Sequence, residues 1–124
     1  MTTFYPTFRY KDALAAIDWL EKAFGFERAA VHQAPDGTVA HAEMKLDDGM
    51  IMLGQARDDK YGERAGNGWC YVGGKSLDID AMHAQAKAAG AEIFMEPTDQ
   101  EYGSRDFQAY DLERNLWSFG TYEP

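Results

Sequence analysis

A single cysteine, Cys70, is all this chain contains, so no intrachain disulfide can form. Its neighbours Trp69, Tyr71 and Val72 are apolar, which suits a buried structural thiol in a reducing compartment. No stretch approaches the roughly 20 apolar residues of a membrane-spanning helix. The opening Met1-Thr-Thr-Phe-Tyr-Pro6 lacks the basic and apolar regions of a secretory signal. A cytoplasmic protein is therefore expected. Basic residues are also few: 12 Lys and Arg stand against 21 Asp and Glu, for a net charge of -9. Phosphate neutralisation needs clustered Lys and Arg, so neither nucleic acid nor an anionic membrane surface is an expected partner. A phosphate-binding glycine loop, a nucleophile elbow and a Cys/His metal cluster are all missing.

What is present is a composition able to fold. Apolar residues make up 45% of the 124 positions and aromatics 14%, enough for the core of one compact domain. Phe4 to Tyr10 reads as a strand, and Asp12 caps a helix running from Ala13 to Phe24. Leu14, Ile17, Leu20 and Phe24 fall on one face of that helix, and Gly25 stops it. Strands follow at Glu27–Gln33, Thr38–Leu46 and Met50–Gly54, divided by Pro35-Asp36-Gly37 and Asp48-Gly49 turns. After a polar, glycine-containing linker the order repeats: strand Trp69–Gly73, helix Asp78–Ala89, strand Glu92–Glu96, then strands at Arg105–Tyr110 and Asn115–Tyr122.

An offset of 66 residues aligns Tyr5 with Tyr71, Asp12 with Asp78, Ala23 with Ala89, Gly37 with Gly103 and Gly54 with Gly120. The matches fall at strand starts, helix caps and turns. The expected fold is thus α+β: two tandem βαβββ modules form an open, cup-shaped mixed sheet with helices on the convex side. Residues 1–124 make one domain, with module one at about 3–55, a linker at about 56–68 and module two at about 69–122. The concave face, free of helix, is the place for a ligand.

The ending Tyr102-Gly103-Ser104-Arg105, then Asp111-Leu-Glu-Arg-Asn115-Leu-Trp-Ser-Phe-Gly120-Thr-Tyr122, resembles that of the vicinal-oxygen-chelate superfamily. That superfamily includes glyoxalases, bleomycin-resistance proteins and extradiol dioxygenases. The opening Tyr5-Pro-Thr-Phe-Arg-Tyr-Lys-Asp12, the segment Phe24-Gly-Phe-Glu27 and Asp36-Gly-Thr38 with His41-Ala-Glu43 fit the same pattern. Leu112 and Arg114 depart from it, standing where the family usually has Pro and Gly in the turn.

The resemblance implies where a metal would sit. Enzymes of the superfamily usually hold a divalent ion with four His or Glu side chains from strands one, four, five and eight. Counting from the motifs places those positions at Tyr5, Met52, Tyr71 and Ser118. A phenol, a thioether and a serine hydroxyl are poor ligands for such an ion, so no metal and no cofactor is expected. The resemblance is then closest to the bleomycin-resistance branch, whose members bind a ligand in the cavity without metal.

Strand alternation adds Thr7, Met50 and Trp69 to the same concave surface, with His41 and Glu43 on the third strand. Aromatic faces and adaptable Met side chains suit a small aromatic or amphipathic molecule, of the kind handled in antibiotic resistance. Trp69, Met50 and Met52 are equally consistent with core packing. His41 beside Glu43 is a candidate acid–base pair for a rival reading, a glyoxalase-like lyase or isomerase; an exposed hydrogen-bonded pair is the plainer alternative. Arg105 is a candidate for a ligand carboxylate or phosphate, or else an ion-pair partner within this acidic chain. Trp117 and Phe119 are expected to face a helix, and His32 and His83 to lie on the surface. Exposed sheet edges lead to an expected homodimer.

Overall fold

Two helices capped at their starts by aspartate organise the chain. In the computed structural model, which describes residues 1–124, the Asp12 carboxylate accepts from the Ala15 N–H at 3.1 Å, and Asp78 from Ala81 at 3.1 Å. They open α1 (Ala13–Phe24) and α2 (Ile79–Ala88). Gly25 ends α1 with φ 79°, a left-handed conformation that glycine adopts without a Cβ clash.

Each helix belongs to its own four-stranded sheet. β1 (Thr7–Tyr10), β2 (Glu27–Gln33), β3 (Val39–Leu46) and β4 (Gly49–Gln55) are ordered β1-β4-β3-β2. β5 (Trp69–Gly73), β6 (Ile93–Asp99), β7 (Arg105–Tyr110) and β8 (Leu116–Gly120) are ordered β5-β8-β7-β6. In each, the first strand runs parallel to the last and the remaining pairs are antiparallel. Two tandem βαβββ modules of an α+β fold are thus present, their sheets open, with a short 3-10 turn at Gly62–Arg64 in the segment between them.

Local departures have physical reasons. The second strand of module two, β6, does not stop before Pro97 but continues to Asp99. β6 is an edge strand whose register shifts between Met95 and Thr98, so the missing proline N–H falls where the ladder is already irregular. Pairing also places Thr7, not Tyr5, opposite Met52, whereas Tyr71 lies opposite Ser118. Five positions separate Thr7 from its helix cap Asp12 and seven separate Tyr71 from Asp78, so the 66-residue offset holds for the helices but fails for the first strands.

The helix-facing sides of both sheets share one core. Phe8 of β1 stacks on Trp117 of β8 with ring centroids 5.0 Å apart, and Phe24 of α1 meets Phe119 edge-on at 4.7 Å. Trp117, Phe119, Phe107, Tyr10, Met44 and Leu53 are fully buried. Burying a large side chain of this kind contributes roughly 1.5–3 kcal/mol, which is why the two modules hold together without a shared ladder. His83 does not lie free on the surface; its ring packs edge-on to Phe107, with Nε2 2.7 Å from the Glu96 carboxylate but not aligned for a hydrogen bond.

The turn between β7 and β8 keeps the conformation that glycine would ease. Arg114 adopts φ 72°, its guanidinium 3.9 Å from the Tyr110 ring centroid and 2.8 Å from Glu92. Beneath the turn the buried Asp111 carboxylate accepts from Tyr10 Oη at 2.6 Å, Trp117 Nε1 at 3.1 Å, Asn115 Nδ2 at 3.0 Å and the backbone N–H groups of Glu113 and Asn115. Burial, and next the Asp111 charge, push the Tyr10 phenol far above its ordinary range. Glu113 then accepts from the N–H groups of Lys11 and Asp12, tying module two to the start of α1.

Candidate ligand-binding site

Because one face of each sheet is committed to the shared core, the opposite faces are open. On the second sheet alternation along β5, β7 and β8 puts Trp69, Tyr71, Asp106, Gln108 and Ser118 on one surface, while Phe107, Trp117 and Phe119 point inward. Trp69, Tyr71, Met95, Gln100, Tyr102, Asp106, Gln108 and Ser118 line a shallow cavity of about 370 Å³. The Trp69 side of it is open: the residue is 71% exposed.

The floor is a hydrogen-bonded mesh. Ser118 Oγ accepts from Trp69 Nε1 and from Gln108 Nε2, each at 2.9 Å, and is only 1% exposed beneath them. Asp106, 4% exposed, accepts from Tyr71 Oη at 3.1 Å and Ser104 Oγ at 2.9 Å on one oxygen, and from Tyr102 Oη at 3.1 Å on the other. The Tyr122 N–H donates to the Tyr71 hydroxyl at 3.2 Å, fixing its direction. Burial, followed by smaller contributions that include the Asp106 charge, raises the Tyr71 phenol above its ordinary value, so it stays neutral at pH 7. Gly120 lies directly below, where any Cβ would collide with both the Tyr71 hydroxyl and the Asp106 carboxylate.

The open face of the first sheet carries the other group of expected residues. His41 Nε2 and Glu43 Oε2 are 3.0 Å apart on β3, both partly exposed, and the His32 ring stacks beside His41 at 6.2 Å. Met52 pairs with both Glu43 and Thr7. Tyr5 precedes β1 and is exposed, its carbonyl accepting from the Thr7 hydroxyl. Met50 lines a second cavity, of about 550 Å³, at the seam between the modules together with Phe4, Cys70 and Leu77. Burial raises the Cys70 thiol, which keeps it protonated and a poor nucleophile.

Arg105 is brought to neither face. It sits on the helix side of β7, where it holds Asp80 of α2 at 2.8 Å and Asp99 of β6 at 3.0 Å. Hydrogen bonding to Asp80 and then Asp99 raises its guanidinium still further and depresses the Asp80 carboxyl. Of its two expected roles, the ion pair within the acidic chain is the one formed.

Asp106, Gln108, Tyr102 and Met95 complete the second-sheet face but do not stand out in the sequence. The alternation of Asp106 and Gln108 with Phe107 and Ala109 carries the signal, since it places both polar residues on the Trp69 side.

The positions that pairing brings together for a metal are Thr7 and Met52 in one module and Tyr71 and Ser118 in the other. The last two already spend their oxygens in the mesh, and no three His, Cys, Asp or Glu side chains converge anywhere. These donors do not fit a hard divalent ion.

Residues 4–119 match the family model described as the Glyoxalase/Bleomycin resistance protein/Dioxygenase superfamily. The chain belongs to this superfamily. Among solved structures it is similar to TioX from Micromonospora sp. ML1, with 27% identity, a TM-score of 0.81 and coverage of 99% of this chain and 98% of that one. It is also similar in fold to a member of the glyoxalase/bleomycin resistance protein/dioxygenase superfamily from Sphaerobacter thermophilus, with 19% identity, a TM-score of 0.77 and coverage of 98% and 99%. An uncharacterised protein of Mycobacterium tuberculosis is 28% identical over 116 residues, covering 88% of this chain and 68% of its own. The shared superfamily fold accounts for the two modules and their open faces. No helix of the chain is long and apolar enough to cross a membrane.

Proposed function

We propose that this superfamily member binds a small aromatic or amphipathic organic molecule, without a metal, against the open face of β5 to β8. The observation that carries the reading is the fate of Tyr71 and Ser118: where superfamily enzymes present metal ligands, this chain builds a hydrogen-bonded floor beneath an exposed indole. Trp69, Tyr71, Tyr102 and Met95 give that floor aromatic and thioether walls suited to a flat partner. Thr7, Met50 and Met52 present a similar surface on the first sheet. Two copies in a homodimer, each laying its first sheet over the other's second, give both faces a partner and close two ligand cavities.

Elemental analysis of protein purified without chelator, together with a thermal-shift screen of planar antibiotics and aromatic metabolites, tests this reading. Substoichiometric zinc, nickel, iron and manganese with a raised melting temperature for some planar compounds is the expected result. A stoichiometric metal, or no shift with any compound, overturns it.

The 3.0 Å His41–Glu43 contact favours a second reading, a glyoxalase-like lyase or isomerase in which Glu43 orients His41 as a general base. Turnover of a glyoxalase-type substrate, lost in His41→Ala, is its test.

A further inference from the structure

Two buried carboxylates in module two have opposite surroundings. Asp111 accepts five hydrogen bonds, more than the roughly four lone-pair positions of a carboxylate supply one by one. Asp106 accepts three, all from hydroxyls: two on Oδ1 and one on Oδ2. One lone-pair position on Oδ2 is therefore uncommitted, and Asp106 lines the cavity beside Trp69. None of the chain's eight ion pairs includes Asp106, although it is 96% buried by its 4% exposure. A buried carboxylate without a cation carries a desolvation cost that a bound positive charge relieves.

The rest of the cavity has the same preference. The Trp69 N–H and one of the two Gln108 N–H groups are directed to Ser118, and the Tyr71 and Tyr102 hydroxyl hydrogens both point to Asp106. What Trp69, Tyr71, Tyr102 and Asp106 leave towards the cavity is acceptor oxygens and aromatic faces, while Gln108 keeps one N–H uncommitted. Such a lining attracts hydrogen-bond donors and positive charge, and repels anions.

We infer that the β5–β8 face selects an organic cation, a planar aromatic ring bearing a protonated or quaternary nitrogen, with Asp106 as its counter-ion and Trp69 as its stacking platform. The inference rests on the binding reading above and specifies its ligand class. Asp106 reaches the nitrogen through the open Oδ2 position or, for a quaternary centre, by charge alone. Gly120 is then a specificity element, since its missing side chain is what lets Tyr71 approach Asp106.

Three probes with one two-ring frame test it on the full chain by isothermal titration calorimetry: 1-methylquinolinium, neutral 1-methylnaphthalene and anionic 1-naphthoate. The expected order is quinolinium tightest, by about tenfold over the neutral ring, with naphthoate weakest. Asp106→Asn is expected to abolish the difference between cation and neutral ring, and rising salt to narrow it. Tyr102→Phe, which frees Oδ2 further and keeps the charge, is expected to preserve or strengthen cation binding even where Asp106→Asn fails to fold. Equal affinity for all three probes, or a preference for naphthoate, overturns the cation assignment and leaves the binding reading standing. Binding of none of them overturns both.

Discussion

Arg114 sits in a left-handed turn position, φ 72°, a conformation that glycine adopts without a Cβ clash. A side chain there costs roughly 1–2 kcal/mol, offset in part by its contacts with the Tyr110 ring and Glu92. Arg114→Ala loses the contacts and keeps the strain; Arg114→Gly loses both. The glycine variant is therefore expected to be more stable than the alanine variant by roughly 1 kcal/mol in urea denaturation. Equal stabilities would mean that the turn relaxes out of the left-handed region. At Gly120 the expectation is reversed. A methyl group there would push Tyr71 from Asp106, so Gly120→Ala is expected to cost roughly 1–3 kcal/mol and to weaken binding at the second sheet.

Tyr10 offers a pH-dependent test at the same scale. Its phenol is raised above the ordinary value of 10.0, so the folded chain keeps a proton that the unfolded chain loses. The stabilisation is complete below about pH 10 and is lost as pH rises above it. Tyr10→Phe should flatten this alkaline decline in denaturation experiments. At neutral pH it should cost about 1–3 kcal/mol, because Asp111 loses one of its donors. A variant with the parent's alkaline slope would contradict the Tyr10–Asp111 assignment.

Among the elements, α2, β6 and β7 are joined at the surface through Arg105. Arg105→Ala is expected to lower the melting temperature modestly, less so in high salt, while leaving ligand affinity unchanged. Asp80, whose carboxyl Arg105 holds below the ordinary range, adds stability above that range and loses it as pH falls through its own depressed value. Weakened binding in this variant would bring Arg105 back to the site. How far the elements can be read without coordinates depends on local punctuation. α1 is legible to the residue because Asp12 and Gly25 mark both ends, β7 because apolar and polar residues alternate, and β5 because a short apolar run stands between Gly68 and Gly73. β6 is not, because Pro97 reads as a stop unless the strand is known to be an edge. The shift from Tyr5 to Thr7 is hidden for a related reason. Helix caps fix the internal repeat, but the strand-to-helix connections differ by two residues, and only strand pairing reveals it. Asp106 escapes notice because a strand carboxylate ordinarily faces water; here it is met by hydroxyls from Tyr102 and Ser104 in the turn before β7 and from Tyr71 on β5.

At the scale of the whole molecule, one core between the modules leaves two open faces on each chain, with Trp69, Tyr71, Tyr102 and Tyr5 among the exposed aromatics. Surfaces of this kind are normally covered by a partner or a ligand. Light scattering after size exclusion is expected to give twice the 13.9 kDa chain mass, and a clean single-chain mass would contradict the homodimer. The central claim, that the second-sheet face binds small aromatic molecules without a metal, is tested most directly by nuclear magnetic resonance. 1-Methylquinolinium is titrated into ¹⁵N-labelled protein in the presence of EDTA. Saturable shifts of the Trp69 indole N–H and of backbone amides in β5, β7 and β8 are the predicted result. Shifts confined to β3 around His41 and Glu43, or the loss of all shifts when EDTA is present, would contradict it.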